Sequence, residues 1–369
     1  MKMDLKKWLG LGIIGAVALG VVVSSNIDWE SLKRDVPVSR PAITVQLMYG
    51  GEKSAFLTNP AVQDIFAHKY HLTLEAKRVG SVEMVTTADV STMDCLWPSN
   101  SVAVEMAKQN HKVLSDEIIF NSPIVFYTWG PVTDSLIKEG VVEERTSPQK
   151  TKTYYVVNAQ KLITMIESGT TWDSLGLNLY GAVSIRSTDP TRSNSGNMWA
   201  GWLASQMNGG RVVTESTLPA VLPRLRTYFD DMGFMDVSSG DIFENFLSQG
   251  MGAMPIIVGY ENQLPEFILA NPKAKQMIQD QVKVLYPEPT IFASHPLISL
   301  TPECVRLAEA LRNPDIQAIA WRDHGFRSGL IGVKNDPTLF AGMGMPETVD
   351  RVMPMPSAAV MEIIIDKLK

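Results

Sequence analysis

Strand-like and helix-like patterns of apolar residues alternate along most of the chain. Runs rich in apolar and β-branched residues, bounded by turns, occur at residues 43–48, 71–78, 123–129, 182–186 and 253–258. Apolar residues at helical spacing occur at residues 60–70, 102–109, 160–168 and 199–207. Strands that alternate with helices are typical of an α/β fold, and continuous apolar runs indicate buried strands in parallel sheets. The 369 residues are enough for about two such units.

The N-terminal segment has the pattern of an export signal or a membrane anchor. Three lysines precede an uncharged apolar run at residues 8–23, and small polar residues close that run. A basic start, an apolar core and a polar end are typical of a signal peptide, although the run also approaches the length of a membrane span. Cleavage near residue 25 and retention as an anchor both stay open. Residues 26–42 are polar and are predicted to be a tether, with the remainder of the chain extracytoplasmic.

The composition excludes several classes of protein. With 45% hydrophobic and 20% charged residues, the chain is not intrinsically disordered. Two cysteines cannot build a disulfide scaffold or a four-thiolate metal site. A net charge of −6 lacks the positive field of a duplex-binding protein, so no nucleic-acid partner is expected. The sequence contains neither a Walker A motif nor a G-x-S-x-G nucleophile elbow, and neither catalysis nor a cofactor is indicated.

Four turns rich in Gly, Ser and Asn lie at the boundaries of the predicted strands and helices, at residues 50–54, 98–101, 187–197 and 259–263. Ligands of open α/β sheets bind where strands end and helices begin, because the free N–H groups of helix N-termini attract polar ligands. A capped helix start explains one such turn equally well, but four together favour a binding site. The candidate ligand-binding residues are Lys53, Ser54, Ser99, Ser101, Arg192, Ser193, Ser195, Gly196, Asn197, Tyr260 and Glu261.

The turn at residues 187–197 carries most of the information. Ser193, Ser195 and Asn197 offer hydroxyl and amide donors, and Gly196 would let the backbone approach a ligand closely. Arg192 either adds a charge-assisted bond to the ligand or is a surface residue, and both interpretations stay open.

Several stretches resemble one known family. The segment STDPTRSNSG at residues 187–196 resembles the interdomain loop of bacterial extracellular solute-binding proteins of the type 2 periplasmic fold. Phosphate, sulfate, molybdate and tungstate binders have similar DP-x-x-S-x-SG loops. NSPIV at residues 121–125 resembles the strand that crosses between the two lobes. Further similar stretches, in the family's order, are residues 172–176, 249–260 and 317–327, so that the resemblance covers residues 43–335.

The resemblance implies a two-lobed clamshell in which each lobe is a mixed sheet flanked by helices. The first lobe would comprise residues 43–124 and 291–369, and the second residues 125–290. It implies an extracytoplasmic solute-binding protein, not an enzyme, that closes on a small polar or anionic ligand for an ABC-type permease. A membrane-tethered sensor or interaction subunit with the same fold is the alternative. Glu261, if it faces the cleft, would disfavour a fully ionised oxyanion and suit a ligand that carries a hydrogen-bond donor.

The histidines give no clear chemistry. His68 and His71 are spaced as a metal pair on a helix, but no third ligand stands near them, so they are interpreted as helix-end residues. His295 lies at the predicted crossover between lobes, where a hinge role competes with packing. His324 is interpreted as a polar turn residue.

The two cysteines are candidates for a disulfide, and two aromatic residues are candidates for the walls of a cleft. Cys95 and Cys304 could pair in an oxidising compartment, but two buried free thiols are the favoured interpretation. Trp97 and Tyr260 lie near the predicted turns and are candidates for the walls of a cleft.

Overall fold

The computed structural model describes residues 41–146, 153–336, 338–340 and 342–369. The predicted signal or anchor at residues 1–25 lies outside the described residues, as does almost all of the predicted tether. Within these described ranges, no helix is both long enough and apolar enough to cross a bilayer. Ile43–Lys369 form one compact unit.

Ten strands of the described ranges form a mixed sheet. They are β1 (Ile43–Tyr49), β2 (Leu72–Arg78), β3 (Cys95–Trp97), β4 (Ser115–Trp129), β5 (Val142–Thr146), β6 (Thr153–Asn158), β7 (Ile256–Tyr260), β8 (Val282–Glu288), β9 (Phe292–Ser299) and β10 (Arg327–Ser328). Their order is β2-β1-β3-β9-β4-β8-β6-β5, and β7 and β10 also pair with β4.

The long strand β4 runs through both halves of the sheet. Its first part pairs with β9 and β10, and its second part pairs with β7 and β8, in every case antiparallel. Among these ten strands, parallel pairing occurs between β1 and its neighbours β2 and β3 and between β6 and β8. The predicted mixed sheet with flanking helices is confirmed, whereas the expectation of parallel sheets holds only for these outer strands.

The helices fill the connections between strands and cover the sheet. They are α1 (Ser54–Leu57), α2 (Pro60–Asp64), α3 (Glu83–Thr86), α4 (Val102–Asn110), α5 (Gly130–Lys138), α6 (Ala159–Glu167), α7 (Asn194–Met207), α8 (Leu218–Met232), α9 (Ser239–Gln249), α10 (Gln263–Ala270), α11 (Lys275–Gln281), α12 (Pro302–Leu311), α13 (Pro314–His324) and α14 (Ala358–Leu368). A 3₁₀ turn at Gly51–Lys53 joins β1 to α1.

Two sequence predictions need correction here. The strand predicted at residues 182–186 is absent from the described structure, where Ala182 and Arg186 form only isolated bridges to Thr171 and Ile257. The helix predicted from residue 199 begins five residues earlier, at Asn194. The small polar residues before Trp199 resemble a loop in sequence, but they form the buried first turn of α7.

Apolar residues gather in separate clusters on the two halves of β4. One cluster contains Phe126 and Trp199, whose rings meet edge to face, and it includes Ile364 of α14. Another contains Phe56 and Phe120, whose ring centroids lie 5.0 Å apart. Packing of this kind is what a division into two lobes requires, although the lobe boundaries stay a prediction.

Cys95 and Cys304 form a disulfide, so the preference for two free thiols is wrong. Their Cα atoms lie 5.4 Å apart, within the usual range for a bridge, and both residues are fully buried. The bond ties β3 to α12 across 209 residues of sequence, a separation at which spacing alone cannot reveal proximity.

Candidate functional site

A cleft of about 600 Å³ lies where three of the four predicted turns meet. Residues 50–52, 54 and 55 after β1, residues 192–194 at the start of α7 and residues 262, 263 and 266 at the start of α10 line it. Two segments that sequence reasoning missed complete the lining, residues 78–81 and 83 after β2 and residues 237–241 and 244 at the start of α9. Elements that are distant in sequence therefore present their polar ends to one volume.

The side-chain amide of Asn194 joins three of the turns. Its Nδ2 donates to the carbonyl oxygen of Ser99 at 3.0 Å and to the hydroxyl of Tyr260 at 2.9 Å. Its Oδ1 accepts from Nδ2 of Asn100 at 2.8 Å. The amide thus holds the start of α7 against the turn before α4 and the end of β7. Asn194 lies inside the polar turn that the sequence singled out, but the predicted helix began too late to mark it as a helix-start residue.

The two polar candidates after Asn194, Ser195 and Asn197, are buried in the protein and do not line the cleft. Ser195 Oγ lies 2.8 Å from Thr188 Oγ1 and 3.1 Å from Ser193 Oγ, and both Ser195 and Asn197 are buried. A Cβ atom on Gly196 would lie 2.2 Å from the carbonyl oxygen of Thr188. The glycine is therefore required by the packing of α7 against the preceding turn. Of this turn, Arg192, Ser193 and Asn194 line the cleft.

Lys53 lies beneath the first turn, fully buried, and its neighbour Glu52 lines the cleft instead. Lys53 Nζ donates to Ser99 Oγ at 2.8 Å and lies 3.0 Å from His295 Nδ1. Ser99 Oγ in turn donates to Glu52 Oε2 at 2.7 Å. Burial lowers the pKa of Lys53 to about 8, although the charge of Glu52 opposes this shift.

His295 is a buried polar partner of Lys53 in this arrangement. Burial, and secondarily the charge of Lys53, lower the pKa of His295 well below its usual value, so the imidazole is neutral and Nδ1 accepts from the ammonium. Trp97 covers the same ammonium, with Nζ 5.5 Å from the ring centroid, and donates from Nε1 to the carbonyl oxygen of His295. Trp97 is part of the packing behind the cleft and is not among the lining residues.

The carboxylate of Glu261 is paired with other side chains inside the protein. Arg327 donates from Nε to Glu261 Oε2 at 2.6 Å and from Nη2 to Glu261 Oε1 at 2.8 Å. The Tyr286 hydroxyl also donates to Glu261 Oε1, at 2.5 Å. Burial alone would lower the pKa of Arg327, but the adjacent carboxylate raises it above its usual value. Glu261 is not a lining residue, whereas the next residue, Asn262, is one. The internal pair explains why the carboxylate of Glu261 is not offered to a solute.

The remaining candidates fall on different sides of the cleft wall. Ser54 lines the cleft and donates to the carbonyl oxygen of Gly51 at 2.7 Å. Ser101 is exposed just before α4 and is not a lining residue. Tyr260 is buried behind the start of α7, where burial and the charge of Glu52 raise its pKa well above the usual value. Three of the four predicted turns therefore line this cleft, and the structure places only part of their side chains at its surface.

The histidines near the end of α2, interpreted as helix-end residues, make local contacts. His68 is exposed and its Nδ1 lies 2.9 Å from Asp64, one helical turn away. No group of three His, Cys, Asp or Glu side chains in the described ranges is arranged to hold a metal ion. His324, interpreted as a turn residue, is buried at the end of α13, where Nδ1 lies 2.9 Å from Glu266 and Nε2 lies 3.1 Å from Asn59.

Comparison with known proteins shows the fold. No family model and no curated protein sequence matches the chain. The apo ferric ion-binding protein A of Pasteurella haemolytica is similar with a TM-score of 0.56 and 10% identity, over 89% of this chain and 97% of that one. An ABC transporter structure from Clostridium perfringens gives 0.54 and 12%, over 88% and 98%. The Trichodesmium protein IdiA (FutA), in complex with iron and citrate, gives 0.53 and 11%, over 88% and 97%.

The matches extend over nearly the full length of those chains and most of this one. The mixed α/β sheet with flanking helices is thus the fold of two-lobed substrate-binding proteins, as the sequence resemblance implies. At these identities the comparison concerns the fold alone.

Proposed function

We propose that the protein is an extracytoplasmic solute-binding protein that captures a small polar solute in the cleft and delivers it to an ABC-type uptake system. The observation that carries this proposal is the convergence of helix starts and strand ends on one polar cleft, in a fold whose matched structures include ion-binding and transporter proteins. No enzymatic activity is proposed. Ligand recognition by such turns needs only hydrogen-bond donors and charges that are held in place before the ligand arrives.

Closure around the ligand follows from the origin of the lining. On the predicted lobe boundaries, residues 50–55 and 78–83 belong to the first lobe, while residues 192–194 and 237–266 belong to the second. A solute in the cleft would contact both lobes only when they are close together, so it would bind the closed form more tightly and shift the population towards it. The lobe assignment of residues 43–124 with 291–369, and of residues 125–290, is part of this proposal.

Residues 1–25 are proposed to export the chain or to anchor it, with residues 26–42 as the tether. The support is the lysine-rich start followed by an apolar run. Mass measurement of the N-terminus of protein isolated from membrane and soluble fractions distinguishes a cleaved signal from a retained anchor. A cytoplasmic chain with an intact N-terminus would contradict both.

A thermal-shift screen tests the binding function. The full-length protein is unfolded in guanidinium chloride and refolded, to remove solute carried over from expression, and is then heated with amino acids, sugars, sulfate, phosphate, molybdate or ferric citrate. A solute present at 100 times its Kd should stabilise the protein by about 2.7 kcal/mol. Refolded protein that responds to no class of solute would contradict the proposed function.

A matched pair of variants ties the response to the cleft. Asn194→Ala removes the amide that joins the turns, and we expect it to abolish the thermal shift. Asn271→Ala changes an exposed asparagine just beyond the C-terminal end of α10 and should leave the shift intact. If both variants lost the thermal shift, or if both retained it, the result would argue against binding at this cleft.

A further inference from the structure

The charges on the cleft wall are unfavourable for a free oxyanion. Five carboxylates line the cleft against two guanidinium groups, so the lining has a surplus of three negative charges. These residues are Glu52, Glu83, Asp241, Glu244 and Glu266, with Arg78 and Arg192 opposing them. Walls of low dielectric focus such a field into the cleft, where it attracts cationic groups and repels multiply charged anions.

One side of the wall nevertheless offers a donor that has no acceptor among the described residues. Asn262 lines the cleft but is only 1% exposed. Its backbone N–H donates to Ser122 Oγ at 3.2 Å, and that hydroxyl donates in turn to Asn262 Oδ1 at 2.9 Å. With Oδ1 accepting from Ser122, Nδ2 has no hydrogen-bond partner in the described structure. This atom is not fully buried, so it is accessible from the cleft, where a ligand oxygen can accept from it.

The start of α7 adds positive character to the same cleft. The helix is 14 residues long, has no acidic residue in its first turn and receives no side-chain cap from Ser193. No acidic side chain of the first turn therefore offsets the helix dipole, and Ser193 and Asn194 line the cleft at this point. The first turn of α9, by comparison, already contains Asp241.

A carboxylate of the cleft wall lies next to this donor side. Ser99 Oγ donates to Glu52 Oε2 at 2.7 Å, while the carbonyl oxygen of Ser99 accepts from Asn194 Nδ2 at 3.0 Å. A single residue thus separates the carboxylate of Glu52 from the first turn of α7. The carboxylate of Glu52 and the start of α7 therefore lie close together at the wall of the cleft.

We propose that the cleft binds a small zwitterion of the amino-acid class, with its carboxylate at the start of α7 and Asn262 Nδ2 and its ammonium paired with Glu52. The inference rests on the proposed solute-binding function and names its substrate class. In an α-amino acid the two charged groups are attached to the same carbon, which matches the short separation between Glu52 and the start of α7. Because Glu52 and Asn262 belong to different predicted lobes, such a ligand would bridge the cleft.

Charge-deleted analogues test the zwitterion directly. The refolded full-length protein is titrated calorimetrically with each of the protein amino acids. The amino acid that binds most tightly is then compared with two analogues of it, the amine that lacks the carboxylate and the acid that lacks the amino group. We expect at least 100-fold weaker binding of both analogues. Binding of sulfate, phosphate or ferric citrate in place of any amino acid would overturn the inference while leaving the solute-binding function intact, whereas the absence of any ligand would contradict both. If either analogue bound as tightly as the amino acid, the inference of a zwitterionic ligand would also be overturned.

Two isosteric variants locate the two charged groups. Glu52→Gln retains an oxygen that can accept from Ser99 but removes the charge, and we expect amino-acid affinity to fall at least 10-fold. Asn262→Asp keeps the oxygen that accepts from Ser122 and replaces the free donor with an acceptor, and it should have a similar effect. Glu139→Gln, at an exposed position after α5, is the control and should bind as the wild type does. Unchanged affinity in Glu52→Gln overturns the inference whether or not the Asn262 variant folds.

Discussion

Lys53 Nζ lies 3.0 Å from His295 Nδ1 beneath the first turn of the cleft, and both side chains are shielded from water. Two cations at this distance without solvent would repel each other strongly, so the imidazole stays neutral. With Nδ1 as the acceptor, Nε2 carries the proton, and this atom is buried without a partner in the described structure. The pair makes the folded state sensitive to acid.

We expect His295 to make the protein less stable below pH 6.5. Burial keeps the pKa of this group well below 6.5 in the folded protein, whereas the unfolded chain takes up the proton near 6.5. The unfolded state then binds more protons, so the free energy of unfolding falls as the pH falls, by up to about 1.4 kcal/mol per pH unit. Urea unfolding at pH 7, 6 and 5 measures this slope.

The variant His295→Asn provides the comparison for that slope. Its side-chain oxygen can accept from Lys53 in place of Nδ1 but does not titrate. We expect a smaller loss of stability between pH 7 and pH 5 than in the wild type, whatever the absolute stability of the variant. Equal slopes would mean that the acid sensitivity arises elsewhere.

Reduction of the disulfide should destabilise the protein. The bond closes a loop of 209 residues between two buried positions, and removing such a constraint from the unfolded chain costs about 2–5 kcal/mol. Denaturant unfolding with and without dithiothreitol gives this difference. The double variant Cys95→Ala/Cys304→Ala should be insensitive to the reductant, and a wild type that is equally insensitive would contradict the prediction.

A methyl group at Gly196 should disturb the start of α7. An alanine Cβ there would lie 2.2 Å from a backbone oxygen of Thr188, which cannot rotate away as a side chain can. Overpacking of this kind costs about 1–3 kcal/mol, and ligand affinity should fall because the first helical turn moves. Gly252→Ala is the control, since nothing lies within 4 Å of its new Cβ atom. Similar melting temperatures for the two variants would show that the turn at residues 188–190 yields easily.

The Glu261–Arg327 pair should behave as a coupled unit. Arg327→Met leaves the carboxylate of Glu261, which is fully buried, without its guanidinium partner, and we expect a loss of about 3–5 kcal/mol. Adding Glu261→Gln to that variant should restore part of the lost stability, because the uncompensated charge is then gone. A four-way cycle of urea unfolding measures the coupling, and simple additivity of the two single changes would refute it.

Local patterns were sufficient for much of the fold. Strands such as β1 and β2 and helices such as α4 follow from their apolar spacing, and their observed limits agree with the predictions to within one residue. Residues 182–186 have a strand-like pattern as well, but they meet a partner strand only at Arg186, in an isolated bridge. A pattern reports on the segment itself, whereas a strand also needs a neighbour.

The candidate site was predictable as a set of turns but not as a set of side chains. Adjacent residues in a tight turn point in different directions, so Lys53 lies in the interior while Glu52 faces the cleft. The segment at residues 78–83 carries a usable signal, since Gly80 and Ser81 follow a predicted strand. Asn262 belongs to the fourth turn, but the unpaired donor of its side chain could not be predicted, because it depends on a hydrogen bond from Ser122 on a distant strand.

The uninterrupted strand β4 has a mechanical consequence. Its 15 residues pair along one half with β9 and along the other with β7 and β8, so the backbone between the halves is already hydrogen-bonded and extended. Unlike a loop, a connector of this kind resists sharp bending, and it deforms most easily by a change in its twist. Movement of the cleft walls would therefore be a torsional deformation of the sheet, with a restoring force supplied by the strand that carries it.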